Sequence, residues 1–273
     1  MSTEVIFLNQ AQAELKTIAG IRYRSIAALW LRHWFAFIRF WKYAVAFMFV
    51  EPVVMMIGVG VGIGRLVPTV PGTEIPYPEF VAPGIIVGSA MFVPMVECSM
   101  GAYNRMENQL YDTQLTAPLS VLEVLIADIS FGVTRAFISM VSITVIAVAF
   151  GWINEWTVVF VVLPVFLVAV LFAGVGFLFS STAPHVNFVT LVFTVVGTPM
   201  FMFSGIFYPF EVLPSWAQTI SNFIPLAPAV NLSRAFATNT MDASMVWDLL
   251  FLVGMIAVVL PLSYVLLRRK LIS

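Results

Sequence analysis

The fold is decided by the stretch VNFVTLVFTVVGTPMFMFSGIFYPFEVLPSWAQTISNFIPLAPAVNLS, residues 186–233, whose 48 residues contain one charged side chain, Glu211. Its first half, 186–210, is long enough to cross a bilayer core, which needs about 20 apolar residues. Its second half, 212–233, contains three prolines and several polar side chains. Proline removes helical hydrogen bonds, and lipid cannot satisfy the freed carbonyl groups. We therefore expect one span followed by two short broken helices, a transporter feature more than an anchor feature.

The composition is that of a polytopic membrane protein. Hydrophobic residues make up 61% and charged residues 10% of the sequence, against about 45–50% and 25% in soluble domains. The charged first 21 residues have no apolar core and do not resemble a cleavable signal peptide. One cysteine, two histidines and no phosphate-binding glycine loop or nucleophile elbow predict no catalytic, metal or cofactor site. We expect an all-α polytopic membrane protein that is not an enzyme.

Charge-poor windows divide the chain into six predicted spans, at about 44–66, 79–101, 122–150, 157–180, 186–210 and 246–267. An even number puts both termini on one side. Ten basic residues then flank the termini and the 102–121 loop, against two on the other side, so the positive-inside rule makes the former cytoplasmic. The predicted segments are a cytoplasmic 1–21, an interfacial helix 22–43, a transmembrane domain 44–267 and a cytoplasmic tail 268–273.

The segment before the first predicted span is amphipathic on a helical wheel. One face carries basic residues and the opposite face carries aromatic residues. The basic residues are Arg22, Arg24, Arg32, Arg39 and Lys42, and the aromatic ones are Trp30, Trp34, Phe37 and Trp41. This pattern predicts a helix in the headgroup plane, with an ordinary flanking segment bearing stop-transfer charges as the alternative. The first span also contains two glycine pairs, Gly58/Gly62 and Gly60/Gly64, whose spacing favours close helix packing over a ligand site.

Charged residues within the predicted spans are costly and need an explanation. Glu51 precedes Pro52, and Glu97 lies near the cytoplasmic end of the second span. Asp128 and Arg135 lie two helical turns apart on one face of the third span, so each could meet a glutamate on a neighbouring helix. Two interpretations stay open at this point: the charges lock helices together, or the two glutamates belong to the substrate path or to the coupling of motion.

The loop 102–118, AYNRMENQLYDTQLTAP, mixes charged and apolar residues. It predicts a short amphipathic helix exposed to the cytosol and closed by Pro118, with Arg105 on its surface. A connector would need only a few residues, so the extra length indicates docking against a soluble partner.

Several motifs in order resemble one family over residues 24–270. They are the basic interfacial helix, Glu51-Pro52 in a glycine-rich span, FVAPGIIVGSAMF (80–92), the spacing of Glu97, Gly101 and Arg105, QLTAPLS (114–120), and FSGIFYPFEVLPSWAQTISNFIPLAP (203–228) followed by Arg234. The chain resembles the permease subunit of type-2 ATP-binding-cassette exporters, in particular the permeases of nodulation-type lipo-oligosaccharide exporters. One departure concerns the substrate: a glutamate-centred motif of that branch is expected where Asp128 stands.

The resemblance implies a bacterial inner-membrane permease that forms a homodimer and binds two copies of a separate ATPase subunit. ATP and Mg would then be bound by the ATPase, and this chain would contact membrane lipids and no nucleic acid. Segment 208–228 would be an extracellular re-entrant element. The resemblance assigns coupling to the ATPase to Asn104, Arg105, Glu107 and Tyr111. The predicted substrate-path residues are Glu51, Phe92, Met95, Glu97, Met200, Phe203 and Phe207.

Other classes of function stay open from the residues alone. A proton- or ion-coupled transporter could use Glu51, Glu97 and Asp128 without an ATPase. An intramembrane enzyme lacks a nucleophile–base or metal set, and a membrane-assembly protein is compatible with the composition. An aromatic, methionine-rich path would accept a lipid-linked saccharide, a lipid or an amphiphilic drug.

Overall fold

The computed structural model describes residues 21–42, 50–70, 74–117, 119–154, 156, 158–221, 223–238, 240 and 242–272. These residues form helices and no strand, apart from one isolated bridge between Thr69 and Pro76. The helices are α1 (Tyr23–Arg39), α2 (51–66), α3 (Tyr77–Glu107), α4 (Leu110–Leu115), α5 (Val121–Ala149), α6 (Val158–Thr182), α7 (Val186–Met202), α8 (Ser215–Ser221), α9 (Leu226–Thr238) and α10 (Ser244–Ile272). The predicted all-α class is confirmed.

Four of these helices, α3, α5, α6 and α10, are long and apolar enough to cross a membrane. Two more, α2 and α7, are apolar but shorter. The predicted first span begins partly outside the described residues, and the side chain of Glu51 lies outside them too. The count of six spans therefore stays a prediction, while four spans have helices of the required length.

Helix α6 stands at the centre of the bundle and packs against α3, α5, α9 and α10. It is almost entirely apolar, as expected for a helix surrounded by protein and lipid. A Cβ atom at its Gly176 would lie 2.8 Å from the carbonyl oxygen of Met95 and 3.0 Å from the backbone of Ser99. Gly176 thus allows the backbones of α6 and α3 to touch, as small residues do in membrane helix pairs.

The chain breaks out of helical conformation after α7, eight residues before the predicted end of the span at residue 210. Gly205 adopts a positive φ of 78°, and the following residues form loops and the short helix α8. The two predicted short helices after the break are present: α8 follows Pro214, and α9 follows Pro225. The span prediction 186–210 was too long because apolar composition alone does not show where the backbone turns.

Side chains from four different places satisfy the carbonyl groups that this break leaves without helical partners. Tyr77 donates its hydroxyl to the Phe207 carbonyl at 3.1 Å. Three further bonds follow the same pattern: Ser221 Oγ to Phe203 O at 2.8 Å, Arg234 Nη2 to Gly205 O at 2.8 Å, and Tyr208 OH to Met202 O at 2.6 Å. Non-helical backbone is tolerated at membrane depth only when its N–H and C=O groups form hydrogen bonds with protein or water. Here protein side chains supply the hydrogen bonds.

Helix α1 packs lengthwise on α5 instead of resting only against lipid. The Arg22 backbone N–H donates to Glu123 at 2.8 Å, and Trp30 Nε1 donates to Thr134 at 3.1 Å. The rings of Trp30 and Trp34 stack with centroids 5.5 Å apart. The predicted aromatic face thus contacts a helix over part of its area, whereas the basic residues of α1 are exposed as predicted.

The two glycine pairs of α2 have different surroundings. A Cβ at Gly60 would meet the indole of Trp152 at 2.9 Å, and one at Gly64 would meet Pro78 at 3.1 Å. A Cβ at Gly58 or Gly62 would meet no atom within 4 Å. The predicted role in close packing therefore holds for Gly60 and Gly64 within the described chain.

Candidate coupling site

The charged residues of α3 and α5 meet in one buried cluster, which we call the charge network. It consists of six side chains contributed by α1, α3, α4 and α5: His33, Glu97, Arg105, Tyr111, Asp128 and Arg135. Two carboxylates face two guanidinium groups, so the formal charges of these four residues cancel. A buried charge is tolerable only when it is paired and hydrogen-bonded, and this arrangement meets that condition.

The α3 side of the network explains the spacing of Glu97, Gly101 and Arg105. Arg105 Nη1 lies 3.0 Å from Glu97 Oε1, across two turns of the helix that include a π turn at Glu97–Gly101. A Cβ at Gly101 would lie 3.0 Å from that same glutamate oxygen and 3.3 Å from Arg105 Nη1. The glycine therefore leaves the space in which the ion pair forms.

Asp128 on α5 is the centre of the network. Its Oδ2 accepts the Tyr111 hydroxyl at 2.5 Å and lies 3.3 Å from Arg105 Nη2. Its Oδ1 lies 2.5 Å from His33 Nε2 on α1. A single carboxylate thereby joins the interfacial helix, the long helix α3 and the loop helix α4.

Arg135, two turns further along α5, pairs with the other oxygen of Glu97 and lies over the ring of Phe37, 5.6 Å from its centroid. The prediction that a charge of the third span meets a glutamate on a neighbouring helix is confirmed for Arg135 and Glu97. Asp128 pairs with Arg105 instead, a partner that the sequence did not suggest.

The four predicted coupling residues divide into an exposed pair and a buried pair. Asn104 and Glu107 are exposed on the last turn of α3. Arg105 is only 12% exposed and Tyr111 is fully buried. The expectation that Arg105 lies on the surface of the loop was wrong, because its guanidinium turns inward to Glu97 and Asp128. Burial raises the pKa of Tyr111 well above its usual value, so the phenol keeps its proton and its hydroxyl donates a hydrogen bond to Asp128.

Three of the predicted substrate-path residues belong to an aromatic cluster between α3 and the end of α7. Phe92 lies 5.2 Å from Phe193 and 5.0 Å from Phe201 between ring centroids. Phe207 lies 5.5 Å from Phe201, and Phe203 contacts Trp216 edge to face at 6.2 Å. Phe193 and Phe201 were missed in the sequence, although their spacing of eight residues puts them near one face of α7.

The other predicted substrate-path residues lie outside this aromatic cluster. Met200 is partly buried and packs against the main hydrophobic core. Met95 is 1% exposed, with its side chain packed near Gly197, so it does not line an open path in this conformation. Glu97 is paired with Arg105 and Arg135, and it does not line an open path either. His33 is the residue that sequence reasoning missed, although an ionisable side chain on the aromatic face of α1 is itself a signal of a buried partner.

No group of three or more metal-ligating side chains occurs in the described part of the chain. The long apolar helices, the satisfied break after α7 and the closed charge network together define a multi-pass helical membrane protein. A family model described as ABC-2 type transporter matches residues 24–238, and the chain belongs to that family.

Individual relatives align over most of the chain. Nodulation protein J of Rhizobium leguminosarum bv. trifolii is 31% identical over 255 residues, which is 90% of this chain and 93% of the relative. Nodulation protein J of Rhizobium meliloti (strain 1021) is 26% identical over 246 residues, covering 89% and 93%. The inner membrane transport permease YadH of Escherichia coli (strain K12) is 24% identical over 247 residues, covering 90% and 95%.

Proposed function

We propose that this chain is the permease subunit of an ATP-driven exporter, and that it moves an amphiphilic substrate out across the inner membrane. It works as a homodimer with two copies of a separate cytoplasmic ATPase, and both of its termini are cytoplasmic. The ABC-2 type transporter family implies an ATP-binding-cassette partner, and a relative named as an inner membrane transport permease supports the location. The substrate is a lipid-linked saccharide, a lipid or a drug-like molecule.

The charge network is the observation that carries this proposal. ATP bound to a partner can shift a permease between states only through contacts that differ between those states. The turn at residues 108–109 exposes Asn104 and Glu107, while Arg105 and Tyr111 anchor the same turn to Asp128. A push on the exposed side of the loop is thereby transmitted to α1, α3 and α5 together.

The same network argues against a proton-coupled transporter that uses Glu97 and Asp128. Such a carboxylate must exchange its proton with water during the cycle. Asp128 is 1% exposed and bonded to three side chains, and Glu97 is paired with two arginines. Loss of either negative charge would leave one uncompensated positive charge in a buried site, which is costly.

We predict that the isolated chain hydrolyses no ATP, and that Glu107→Lys releases the ATPase without unfolding the permease. The absence of ATP hydrolysis is expected because the sequence contains no phosphate-binding loop.

The release of the ATPase by Glu107→Lys is expected because the change reverses a charge on an exposed turn. The measurements are ATP hydrolysis in nanodiscs, with and without the partner ATPase, and the recovery of that ATPase in a pull-down.

Arg269→Glu, a charge reversal at an exposed residue in the last turn of α10 and away from the loop, is the matched control and should retain the ATPase. Hydrolysis by the contaminant-free permease would contradict the proposal. Full recovery of the ATPase with Glu107→Lys, at wild-type transport, would remove this turn from the interface.

The orientation of the chain can be tested with thiol reagents in intact cells. Single cysteines replace Ser215 and Ser273 in a Cys98→Ala background, which removes the one native thiol. Ser215→Cys at the start of α8 should react with an impermeant maleimide, and Ser273→Cys should react only after the membrane is opened. Reaction of both from outside would make 208–228 part of a seventh crossing and contradict the six-span arrangement.

A further inference from the structure

A cavity of about 800 Å³ opens at the end of the helical bundle opposite the charge network. Its walls come from the start of α3, the end of α5 with the residues that follow, and the end of α9. The distance along α3 from Tyr77 to Glu97 is about 30 Å at 1.5 Å per residue, which is about the thickness of the hydrocarbon core. The cavity and the coupling site therefore belong to opposite sides of the membrane.

One wall of the cavity is the indole of Trp152, whose position is fixed by three contacts. Gly151, two residues after the end of α5, has a φ of 72°, and the backbone N–H of Trp152 donates to the Ala147 carbonyl oxygen at 2.9 Å. The ring stacks on Phe150 with centroids 4.9 Å apart, and its edge abuts Gly60, where a Cβ would be 2.9 Å away. The aromatic surface is thus ordered before any ligand arrives, which lowers the entropic cost of binding.

The polar part of the lining consists of hydrogen-bonding groups without a positive charge. Glu74, Glu79, Asn154 and Thr238 line the cavity, and no lysine or arginine does so among its described residues. Neither glutamate forms an ion pair with a described residue. Two negative charges at the wall disfavour a phosphate or a uronate by repulsion, whereas carboxylates accept strong hydrogen bonds from hydroxyl groups.

We propose that this cavity binds the neutral, hydroxyl-rich saccharide part of the exported amphiphile on the outer side of the membrane, an inference that rests on the proposed function. The carboxylates accept sugar hydroxyls, and the fixed indole covers the apolar face of a sugar ring. The volume lies within the usual range of about 300–1,000 Å³ for ligand pockets. Phe150, which is 53% exposed and stacks on Trp152, is an interfacial aromatic beside the cavity, so the lipid part of the substrate stays in the bilayer.

The test measures binding of soluble probes to the full chain in nanodiscs, without the ATPase, by calorimetry and by saturation-transfer NMR. The neutral probes are maltotriose, cellotriose and triacetylchitotriose. Trigalacturonic acid is the anionic comparison and spermidine the cationic one. We expect saturable binding of at least one neutral trisaccharide and none of trigalacturonic acid.

Variants distinguish this cavity from other surfaces of the chain. Trp152→Ala should weaken the saccharide by about tenfold, and Trp152→Phe should recover part of that loss because it keeps a ring. Glu79→Gln should weaken it by about threefold, since an amide oxygen is a weaker acceptor than a carboxylate. Trp156→Ala, which changes an exposed aromatic outside the lining, is the matched control and should bind as the wild type does. Thermal unfolding of each variant verifies its fold.

Absence of binding by every neutral trisaccharide would overturn the inference, as would wild-type affinity in a folded Trp152→Ala protein. Binding of spermidine alone, abolished by Glu79→Gln, would make the cavity a cation site and overturn it too. Because the ATPase is absent from these measurements, failure here is separate from failure of the proposed function, which is read from ATPase recovery and hydrolysis.

Discussion

Replacement of Arg105 by glutamine should cost the permease about 3–5 kcal/mol of stability, the usual penalty for breaking a buried ion pair by removing one partner. The Arg105 guanidinium is the group that joins Glu97 to Asp128, and it also donates to Tyr111 from Nε at 3.1 Å. Its loss leaves two buried carboxylates with Arg135 as the remaining arginine of the network. The measurement is thermal unfolding in detergent, followed by fluorescence-detected size exclusion.

A second change separates the lost charge balance from lost packing. Asp128→Asn added to Arg105→Gln restores neutrality, because Glu97 still pairs with Arg135, and should recover more than half of the lost stability. Asn104→Ala on the exposed face of the same turn should stay within about 0.5 kcal/mol of wild type. Wild-type stability of Arg105→Gln, or a double variant as unstable as the sum of the single ones, would show that the network does not hold these helices together.

Replacement of Arg234 by methionine should remove hydrogen bonds from the backbone between α7 and α8 and increase the rate of amide hydrogen exchange there. Arg234 donates to the carbonyls of Gly205 and Phe80 at 2.8 and 3.4 Å, and its guanidinium lies 3.6 Å from the centroid of the Phe80 ring. Burial lowers its pKa to about 10, so it remains charged at neutral pH. Each carbonyl left without a donor costs about 1–3 kcal/mol, and hydrogen exchange over 203–213 should accelerate accordingly.

Arg65→Met is the matched control, because Arg65 is an exposed arginine at the end of α2. It should leave exchange in 203–213 unchanged. Arg234→Lys should protect the segment only in part, because an ammonium group cannot bond two carbonyls in a fixed plane as a guanidinium does. Equal exchange in Arg234→Met and wild type would show that the loop is held by its other bonds, from Tyr77, Ser221 and Tyr208.

The sequence predicted what depends on local pattern. Long charge-poor windows located α3, α5, α6 and α10, since an apolar stretch of that length is stable in lipid as a helix. Pro214 and Pro225 marked the starts of α8 and α9, because proline is favoured at the beginning of a helix.

The remaining features depend on partners that are distant in the sequence. The end of α7 at Met202 could not be read from its composition, because the groups that stabilise the turn come from Tyr77, Ser221 and Arg234. The inward direction of Arg105 likewise depends on Asp128, which lies on another helix. A charge in a predicted surface loop is ordinarily solvated, so helix periodicity gave no reason to expect it inside.

The balance of charge in the network has an electrical consequence. A membrane potential does work of about 2.3 kcal/mol per 100 mV on each elementary charge that crosses it. Glu97, Asp128, Arg105 and Arg135 are bonded to one another, and a rigid displacement of the four carries no net charge through the field. A membrane potential therefore does no net work on a rigid displacement of these four side chains, and depolarisation of the membrane leaves the energy of such a displacement unchanged.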